Sequence, residues 1–246
     1  MINQKAFAAV LLLSSALGAC AQDEAPMADD AAIQAAINSS ERTAEMRERD
    51  AGRRPAEVLH LAGLRPGQHV VELGSFGQWY STILAAVLGP DGQLDMVDPT
   101  AFAQFAEEPG NAFAAAHANT DFHLVDYNEA SLPAAADIVF NILFYHDLQG
   151  AGVDMSVLNA KVFEALKPGG VYLIIDHRAE DGSGRRDSGT LHRIDAETIV
   201  EEVTAAGFEL AERSDLLAHP DDSRTENVFS MRGDTDRALL VFKKPD

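Results

Sequence analysis

The sequence predicts an α/β domain in which helices cover both faces of a mostly parallel β-sheet. From residue 54 onward, short and almost continuously apolar segments alternate with helical segments, which is typical of strands buried on both faces. The last two strand-like segments have no full helix between them, which indicates an antiparallel closing pair. With 246 residues, of which 46% are hydrophobic, the chain is long and apolar enough to bury a sizeable core.

The first residues carry an export pattern. Lys5 supplies a positive start, Ala6 to Leu13 form an apolar run, and small residues lead to Cys20. The run is too short to span a membrane and is typical of a signal peptide. We therefore expect a signal peptide at 1–19, a flexible tether at 20–30 and the folded domain at 31–246.

Cys20 is the only cysteine, which excludes a disulfide within the chain. The stretch Leu17-Gly18-Ala19-Cys20 resembles the lipobox of bacterial lipoproteins. The resemblance implies that Cys20 is lipidated, that the protein is anchored to the periplasmic side of the bacterial envelope, and that this anchor is its only membrane contact. The alternative is an ordinary secretory signal with a chance cysteine.

Helix signals recur along the domain. Pro55 and Gly63 mark a helix start and stop, Gly89-Pro90 closes another helix, and Asp195 is typical of an N-cap. The predicted helices are 31–50, 54–62, 80–88, 100–118 with an interruption near Pro109-Gly110, 155–166 and 195–206.

The strands are predicted from apolar runs that end in turn residues, such as Asp98-Pro99. They are 70–73, 94–97, 122–125, 138–144, 171–175, 208–211 and 238–242. Two long polar stretches, 179–190 and 214–236, are left over. The first is glycine-rich and charged, and we expect it to be a mobile loop.

The chain carries 39 acidic and 19 basic residues, for a formal net charge of −20, and it has no basic stripe. Such a chain is repelled by phosphates, so nucleic acid is not expected as a partner. The acidity itself indicates solubility. A small molecule is the expected substrate.

Ligands of open α/β sheets bind beyond the carboxyl ends of the strands. The first strand is followed by a loop that contains Gly74 and Gly77, where a backbone can pass close to a ligand. Asp98 follows the second strand and could accept hydrogen bonds from ribose hydroxyls. Asp126 follows the third, where adenine contacts are often placed. Both aspartates are also ordinary turn formers.

The fourth strand is followed by Tyr145-His146-Asp147 and the fifth by Asp176-His177-Arg178. Two His/Asp groups at adjacent strand ends should lie within several ångströms of each other. Histidine titrates near neutral pH, and a carboxylate can orient it as a base. His192 follows the glycine-rich loop and could close over the same mouth, or could simply precede a helix. These groups could also bind a divalent ion, although no tight ligand spacing supports a metal site.

The order of elements resembles the class I S-adenosylmethionine-dependent methyltransferase fold, a Rossmann-like, seven-stranded sheet. More narrowly, the chain resembles a family of bacterial predicted methyltransferases, many of them exported. The matching stretches are RPAEVLHLAGLRPGQHVVEL (54–73), ADIVFNILFYHDL (136–148), LKPGGVYLIIDHRAEDGSG (166–184), TLHRID (190–195) and TDRALLVFKKP (235–245).

The resemblance implies an S-adenosylmethionine site at Glu72, Gly74, Gly77 and Asp98. In the family this loop resembles three consecutive glycines followed by two tyrosines. Here Phe76 and Gln78 stand in place of two of those glycines. If their side chains point into the methionine pocket they block the cofactor, and a residue other than glycine at positive φ would be strained.

Three functions remain open at the level of the sequence. The first is methyl transfer from S-adenosylmethionine to a small molecule, with His146 or His177 as the base. The second is a degenerate methyltransferase fold that binds another ligand near the membrane. The third is a different, metal-assisted enzyme that uses the His/Asp cluster.

Overall fold

The computed structural model describes residue 28 and residues 30–231 and 233–246. The predicted signal peptide, Cys20 and nearly all of the predicted tether lie outside the described residues. The described part contains a seven-stranded sheet with helices on both of its faces, as the sequence predicts.

The elements alternate along the chain as expected. The strands are β1 (His69–Leu73), β2 (Gln93–Pro99), β3 (Thr120–Val125), β4 (Ala136–Ile142), β5 (Leu166–His177), β6 (Glu209–Ser214) and β7 (Arg237–Lys243). The helices are α1 (Asp30–Ile37), α2 (Ala44–Glu48), α3 (Asp50–Arg53), α4 (Pro55–Ala62), α5 (Trp79–Leu88), α6 (Ala103–Ala116), α7 (Tyr145–Leu148), α8 (Met155–Ala165), α9 (Ser188–Leu191), α10 (Ala196–Ala205) and α11 (Val228–Met231). Short 3₁₀ turns, Phe76–Gln78 and Thr100–Phe102, precede α5 and α6.

The strand order in the sheet is β3-β2-β1-β4-β5-β7-β6. Neighbouring strands from β3 to β5 run parallel, whereas β7 is antiparallel to both β5 and β6. The expected antiparallel pair at the end of the chain is therefore confirmed. The order reverses between β1 and β4, so the crevice at a topological switch point opens beyond Leu73 and Ile142.

The two faces of the sheet carry separate apolar cores. Along β1, Val71 and Leu73 face α8 and α10, whereas Val70 faces α4 and α5 on the other side. This alternation follows the two-residue period of a strand, and it explains why the strands read as continuous apolar runs. No helix in the described part of the chain is long and apolar enough to cross a membrane.

The single helix predicted at 31–50 is wrong. The chain leaves the helical path after Ile37, and the Ser39 hydroxyl accepts a hydrogen bond from the Glu41 amide. The Thr43 hydroxyl then accepts from the Met46 amide and starts α2. Serine and threonine side chains compete with the helical backbone, so this polar stretch caps helices rather than continuing one.

The predicted interruption near Pro109-Gly110 is also wrong, because α6 runs through it from Ala103 to Ala116. Pro109 is exposed, so its ring meets solvent and not a neighbouring element. Gly110 is buried against β3, and a Cβ built there would lie 2.4 Å from the Phe122 ring. The glycine lets the helix approach the strand and does not break it.

Two strand boundaries differ from the prediction for backbone reasons. Leu143 adopts a left-handed conformation with φ 56°, which ends β4 at Ile142, two residues early. β5 begins at Leu166 rather than Val171, because the turn after α8 pairs with β4 before a register shift between Ala136 and Ile138.

The residues that follow the first long polar stretch pack against the second stretch through a buried ion pair. The Arg193 guanidinium donates to the Asp222 carboxylate at 2.9 Å, and both side chains are fully shielded from solvent. Arg193 also donates to the carbonyl oxygens of Arg178 and Glu226. In the first stretch, the Gly182 amide donates to Asp195, the N-cap of α10.

We expect Asp222→Ala to destabilise the domain by about 3–5 kcal/mol, because it leaves the Arg193 charge buried without its partner. Urea unfolding followed by circular dichroism measures this change. The matched control is Arg213→Ala, which breaks the exposed pair with Glu197 and should cost less than about 1 kcal/mol. Equal losses in the two variants would contradict the role assigned to the buried pair.

Candidate functional site

The candidate site lies at the switch point, where the segments that follow β1, β2, β4 and β5 meet. The Gly74 amide donates to the Val97 carbonyl at 3.1 Å, which ties the β1 loop to the end of β2. A Cβ built on Gly74 would lie 2.3 Å from the Phe144 ring, so the segment after β4 rests directly on this loop. The predicted cofactor loop and the predicted His/Asp cluster are therefore neighbours.

The glycine loop has the backbone of a close-approach turn. Gly74 and Gly77 adopt positive φ values of 76° and 71°, and a Cβ on Gly77 would meet no atom within 4 Å. Gln78 also lies in the left-handed region, with φ 49°, where a side chain costs roughly 1 kcal/mol or more. Its side-chain nitrogen, Nε2, is buried without a hydrogen-bond partner. The strain expected at Gln78 is present.

Asp98 stands at the end of β2 but turns toward the β1 loop. Its two carboxylate oxygens accept from the Ser75 amide at 2.6 Å and the Ser75 hydroxyl at 3.0 Å. Its side chain is fully buried, and burial raises the pKa of Asp98 to about 6 despite these hydrogen bonds. The acid that the resemblance assigns to a ribose is therefore engaged by the protein itself.

Three phenylalanine rings fill the space in front of the glycine loop. The Phe76 ring lies 5.5 Å from the Phe102 ring and 5.0 Å from the Phe144 ring, measured between centroids, and the latter two are 5.3 Å apart. We call these rings the aromatic triad. Phe76 comes from the β1 loop, Phe102 follows β2 and Phe144 follows β4, so the triad closes the crevice between these strands.

Glu72 lies on the opposite face of β1, beneath the loop. It accepts a hydrogen bond from the Ser81 hydroxyl at 2.6 Å and is 6% exposed. Burial raises the pKa of Glu72 to about 8, and the nearby Asp98 charge acts in the same direction. Glu72 therefore supports the loop from behind as a mostly neutral acid at neutral pH.

His146 and Asp176 form a buried pair across β4 and β5. The His146 ring lies with Nδ1 2.7 Å from one Asp176 oxygen, and the His146 amide donates to the other oxygen at 2.8 Å. Burial alone would lower the pKa of His146, but the Asp176 and Asp147 charges raise it above its usual value. The ring is held in one orientation, with Nε2 turned away from Asp176.

Asp147 and His192 complete the cluster around His146. One Asp147 oxygen lies 3.3 Å from His146 Nε2 and 3.0 Å from His192 Nδ1. The His146 and His192 rings are 5.4 Å apart in an edge-to-face arrangement. The Phe229 ring packs on the outer side of His192 and is 73% exposed. The expected meeting of the two His/Asp groups is thus observed, and His192 joins them.

His177 belongs to the same end of the sheet but faces a different partner. Its ring lies 6.1 Å from that of His146, and its Nδ1 is 2.8 Å from the Thr235 hydroxyl. Burial lowers the pKa of His177 to about 3, although the Asp176 charge opposes that shift. His177 is therefore neutral near pH 7, and the sequence could not distinguish its state from that of His146.

Two predicted site residues lie elsewhere. The Arg178 guanidinium faces Asp236 and Asp181, each at 3.7 Å, rather than the histidines. Asp126 is exposed and accepts a hydrogen bond from the Asn128 amide at 2.9 Å, which closes a turn after β3. In this structure Asp126 has the geometry of the turn former that was its alternative.

Phe102 and Phe144 are the site residues that sequence reasoning missed. Both follow strands that point at the switch point, so the rule that selected Asp98 and His146 also reaches them. An apolar ring is usually part of a core, so the sequence alone does not distinguish these two residues from core residues. An aromatic residue after two neighbouring strand ends was the available signal.

The residue types at the loop suit the S-adenosylmethionine that the resemblance implies, but the packing does not leave room for it. Asp98 offers an acid at the end of β2, Gly77 has an open backbone, and the Gln78 side-chain nitrogen is a buried donor without an acceptor. The Phe76 ring, however, occupies the crevice between Phe102 and Phe144. These residues could hold the cofactor only with that ring displaced.

No family model matches the chain, and no curated protein matches its sequence. Solved structures do match its fold. A SAM-dependent methyltransferase from Aquifex aeolicus is 17% identical, with a TM-score of 0.56 over 76% of this chain and 88% of that one. The N-methyltransferase NodS from Bradyrhizobium japonicum WM9 is 16% identical, with a TM-score of 0.55 over 81% and 97%. The [4+2]-cyclase SpnF is 17% identical, with a TM-score of 0.59 over 90% and 97%. The chain has the fold of the class I methyltransferases.

We expect Glu72→Gln to reduce the pH dependence of stability. An acid whose pKa is raised to about 8 in the folded state binds a proton that the unfolded chain releases near its ordinary 4.5. Its stabilising effect is complete below the unfolded pKa and disappears as the pH rises through the folded pKa. The free energy of unfolding should therefore fall between about pH 5 and 8, by on the order of 1 kcal/mol per unit.

Glutamine has the size of glutamate and can still accept the Ser81 hydrogen bond, but it cannot ionise. The free energy of unfolding of the variant should therefore increase relative to that of the wild type as the pH rises. Urea unfolding at several pH values measures the slope. The control is Glu57→Gln on α4. Partial burial alone would raise the pKa of Glu57, but hydrogen bonds from the Glu57 backbone and Arg54 hold this pKa below its usual value. Identical slopes for Glu72→Gln and the wild type would refute the buried neutral acid.

Proposed function

We propose that this protein transfers a methyl group from S-adenosylmethionine to a small-molecule acceptor that binds beside His146. The observation that carries the proposal is the His146–Asp176 pair at the ends of β4 and β5, which adjoins the glycine loop through Phe144. A sheet of the methyltransferase order with an oriented base next to its glycine loop is the arrangement that such a reaction requires.

The neighbours in the fold comparison support the reaction class. Two of the three described above are named as methyltransferases. The matching stretches around His146, His177 and His192 further suggest membership of the exported methyltransferase family. The formal charge of −20 favours a small acceptor over a nucleic acid.

S-adenosylmethionine, when bound, would supply an electrophilic methyl group, and Gly74, Gly77 and Asp98 would hold it. The chain itself would manage the proton of the acceptor. Asp176 holds the His146 proton on Nδ1, so Nε2, which faces Asp147 at 3.3 Å, is the atom that would accept a proton from an acceptor hydroxyl or amine. The Asp176 charge stabilises the imidazolium that results.

His177 is not suited to this role. Its pKa of about 3 reflects a ring too deeply buried to hold a proton near neutral pH. Its place beside Thr235 and its 6.1 Å separation from the His146 ring suit it to support the wall of the site. We therefore assign the base to His146 alone.

The proposal requires the Phe76 ring to leave the crevice, and this can be tested directly. We expect Phe76→Ala to bind S-adenosylhomocysteine at least about tenfold more tightly than the wild type, a gain of about 1.4 kcal/mol, because the ligand no longer has to displace the ring. Isothermal titration calorimetry measures both dissociation constants.

The matched control is Phe105→Ala, which removes a ring from α6 that is 62% exposed and lies outside the aromatic triad. It should bind like the wild type. Thermal unfolding of each variant establishes that it is folded. If neither the wild type nor Phe76→Ala binds at concentrations on the order of 1 mM, the methyl-transfer proposal fails and a binding module for another ligand becomes the better account.

Export and lipidation at Cys20 form a separate part of the proposal, supported by Leu17-Gly18-Ala19-Cys20 in the sequence. In cells grown with a labelled palmitate analogue, we expect Cys20→Ala to lose the label and leave the membrane fraction. Ser15→Ala, outside the four-residue motif, should keep both. Equal labelling of the Cys20→Ala variant would rule out lipidation at this residue.

A further inference from the structure

His146, Asp147 and His192 bring together the donor atoms of a metal site. One donor atom from each residue lies within 4.8 Å of the other two. We propose that these three side chains bind a divalent transition-metal ion of the Zn²⁺ class, and that Asp176 positions His146 for it. The site uses residues beside the glycine loop, and the inference stands independently of methyl transfer.

The spacing of the donor atoms suits such an ion. Asp147 Oδ1 lies 3.3 Å from His146 Nε2 and 3.0 Å from His192 Nδ1. With metal–ligand bonds of about 2.1 Å, two ligands of a tetrahedral ion lie about 3.4 Å apart. These two edges match an ion within a few tenths of an ångström, whereas the third pair of donor atoms, from His146 and His192, lies within 4.8 Å and would draw closer on binding.

Asp176 provides the outer hydrogen bond that metal-binding histidines usually have. One Asp176 oxygen lies 2.7 Å from His146 Nδ1, and the other accepts a hydrogen bond from the His146 amide at 2.8 Å. A neutral His146 then carries its proton on Nδ1 and presents the lone pair of Nε2 to the cluster. This lone pair faces the Asp147 carboxylate, a contact between two acceptors that only a proton or a cation can satisfy.

The backbone holds His192 toward the cluster at a cost. His192 lies in the left-handed region with φ 56°, a backbone conformation that residues other than glycine rarely adopt. The next residue, Arg193, is anchored in the core by Asp222, so the conformation is fixed from behind. Strained backbone that the surroundings impose is often found at binding sites.

The charges around the cluster permit a cation. Arg185 lies nearby, but both of its bonded nitrogens donate to the Glu202 carboxylate, which offsets its charge. A cavity of about 210 Å³ opens on the side of His146 and Asp147 and is also lined by Ser188. It leaves room for a water molecule or a substrate oxygen at a fourth coordination position.

The donor set selects the class of ion. Two imidazole nitrogens and one carboxylate oxygen suit Zn²⁺, Co²⁺, Fe²⁺ or Ni²⁺, whereas Mg²⁺ and Ca²⁺ prefer sites made of oxygen alone. An ion at this position would lower the pKa of a bound acceptor or water and would take over that task from His146. The substrate it favours is a small molecule with a coordinating oxygen.

Metal titration of the full chain tests the inference. Purified protein is stripped with a chelator and titrated with Zn²⁺ near neutral pH in competition with a chromophoric chelator, and Co²⁺ absorption reports the geometry. We expect one equivalent to bind, and His192→Ala to weaken the affinity about 100-fold. His192→Cys restores a donor atom and should recover most of that loss.

The matched control is His123→Ala. His123 on β3 also pairs with a carboxylate, Asp95, at 2.6 Å, but it lies outside the cluster, so its removal should leave Zn²⁺ affinity unchanged. Either of two results overturns the inference: a dissociation constant of the wild type for Zn²⁺ weaker than about 1 mM, or equal dissociation constants for His192→Ala and the wild type. The titration contains no S-adenosyl compound, so the metal-binding proposal can fail without affecting the methyl-transfer proposal that Phe76→Ala tests.

Discussion

The Asp176 carboxylate, fully buried at the end of β5, is the constraint around which the polar half of the site is arranged. It accepts from the His146 amide, the His146 ring and the His177 amide, so one side chain ties the β4 and β5 ends together. A buried charge without such partners would cost several kcal/mol. The pairing fixes the His146 ring, and it lowers the pKa of Asp176 although burial alone would raise it. The carboxylate therefore remains ionised, and His146 keeps one usable nitrogen.

In the apolar half of the site, side chains cover the backbone that a ligand would approach. Glycine loops of this kind leave backbone exposed so that a ligand can approach it. Here the Phe144 ring covers Gly74, the Phe76 ring fills the crevice, and Ser75 satisfies Asp98. The loop thus retains the backbone of a binding turn while its side chains satisfy one another. The two halves meet at the segment from Phe144 to Asp147, so a movement of Phe144 that opens the crevice would also bear on the histidines.

Much of the fold was readable from the sequence, because apolar periodicity and turn residues report burial directly. Six of the seven predicted strands agree with the observed bounds within three residues, and β5 begins five residues earlier than predicted. The errors came from local contacts that only the tertiary structure reveals, such as Gly110 against Phe122 inside α6 and the hydroxyl cap of Thr43 on α2. The meeting of His146 with Asp176 followed from strand order alone. The direction of side chains did not, which is why Arg178 was grouped with the histidines and Phe102 was missed.

The fold determines where a site can form but not which reaction it catalyses. The sheet sets where the strand ends meet, whereas the side chains at those ends set the chemistry. A methyltransferase and a cyclase match this chain at similar identity, which illustrates the point. Activity must therefore be argued from the side chains at the switch point. Methyl transfer depends on a ring that can leave the crevice, whereas metal binding depends on three donor atoms that already lie within 4.8 Å of one another. The second requirement needs the smaller rearrangement, so the His146, Asp147 and His192 cluster is the part of this site whose chemistry the present geometry comes closest to performing.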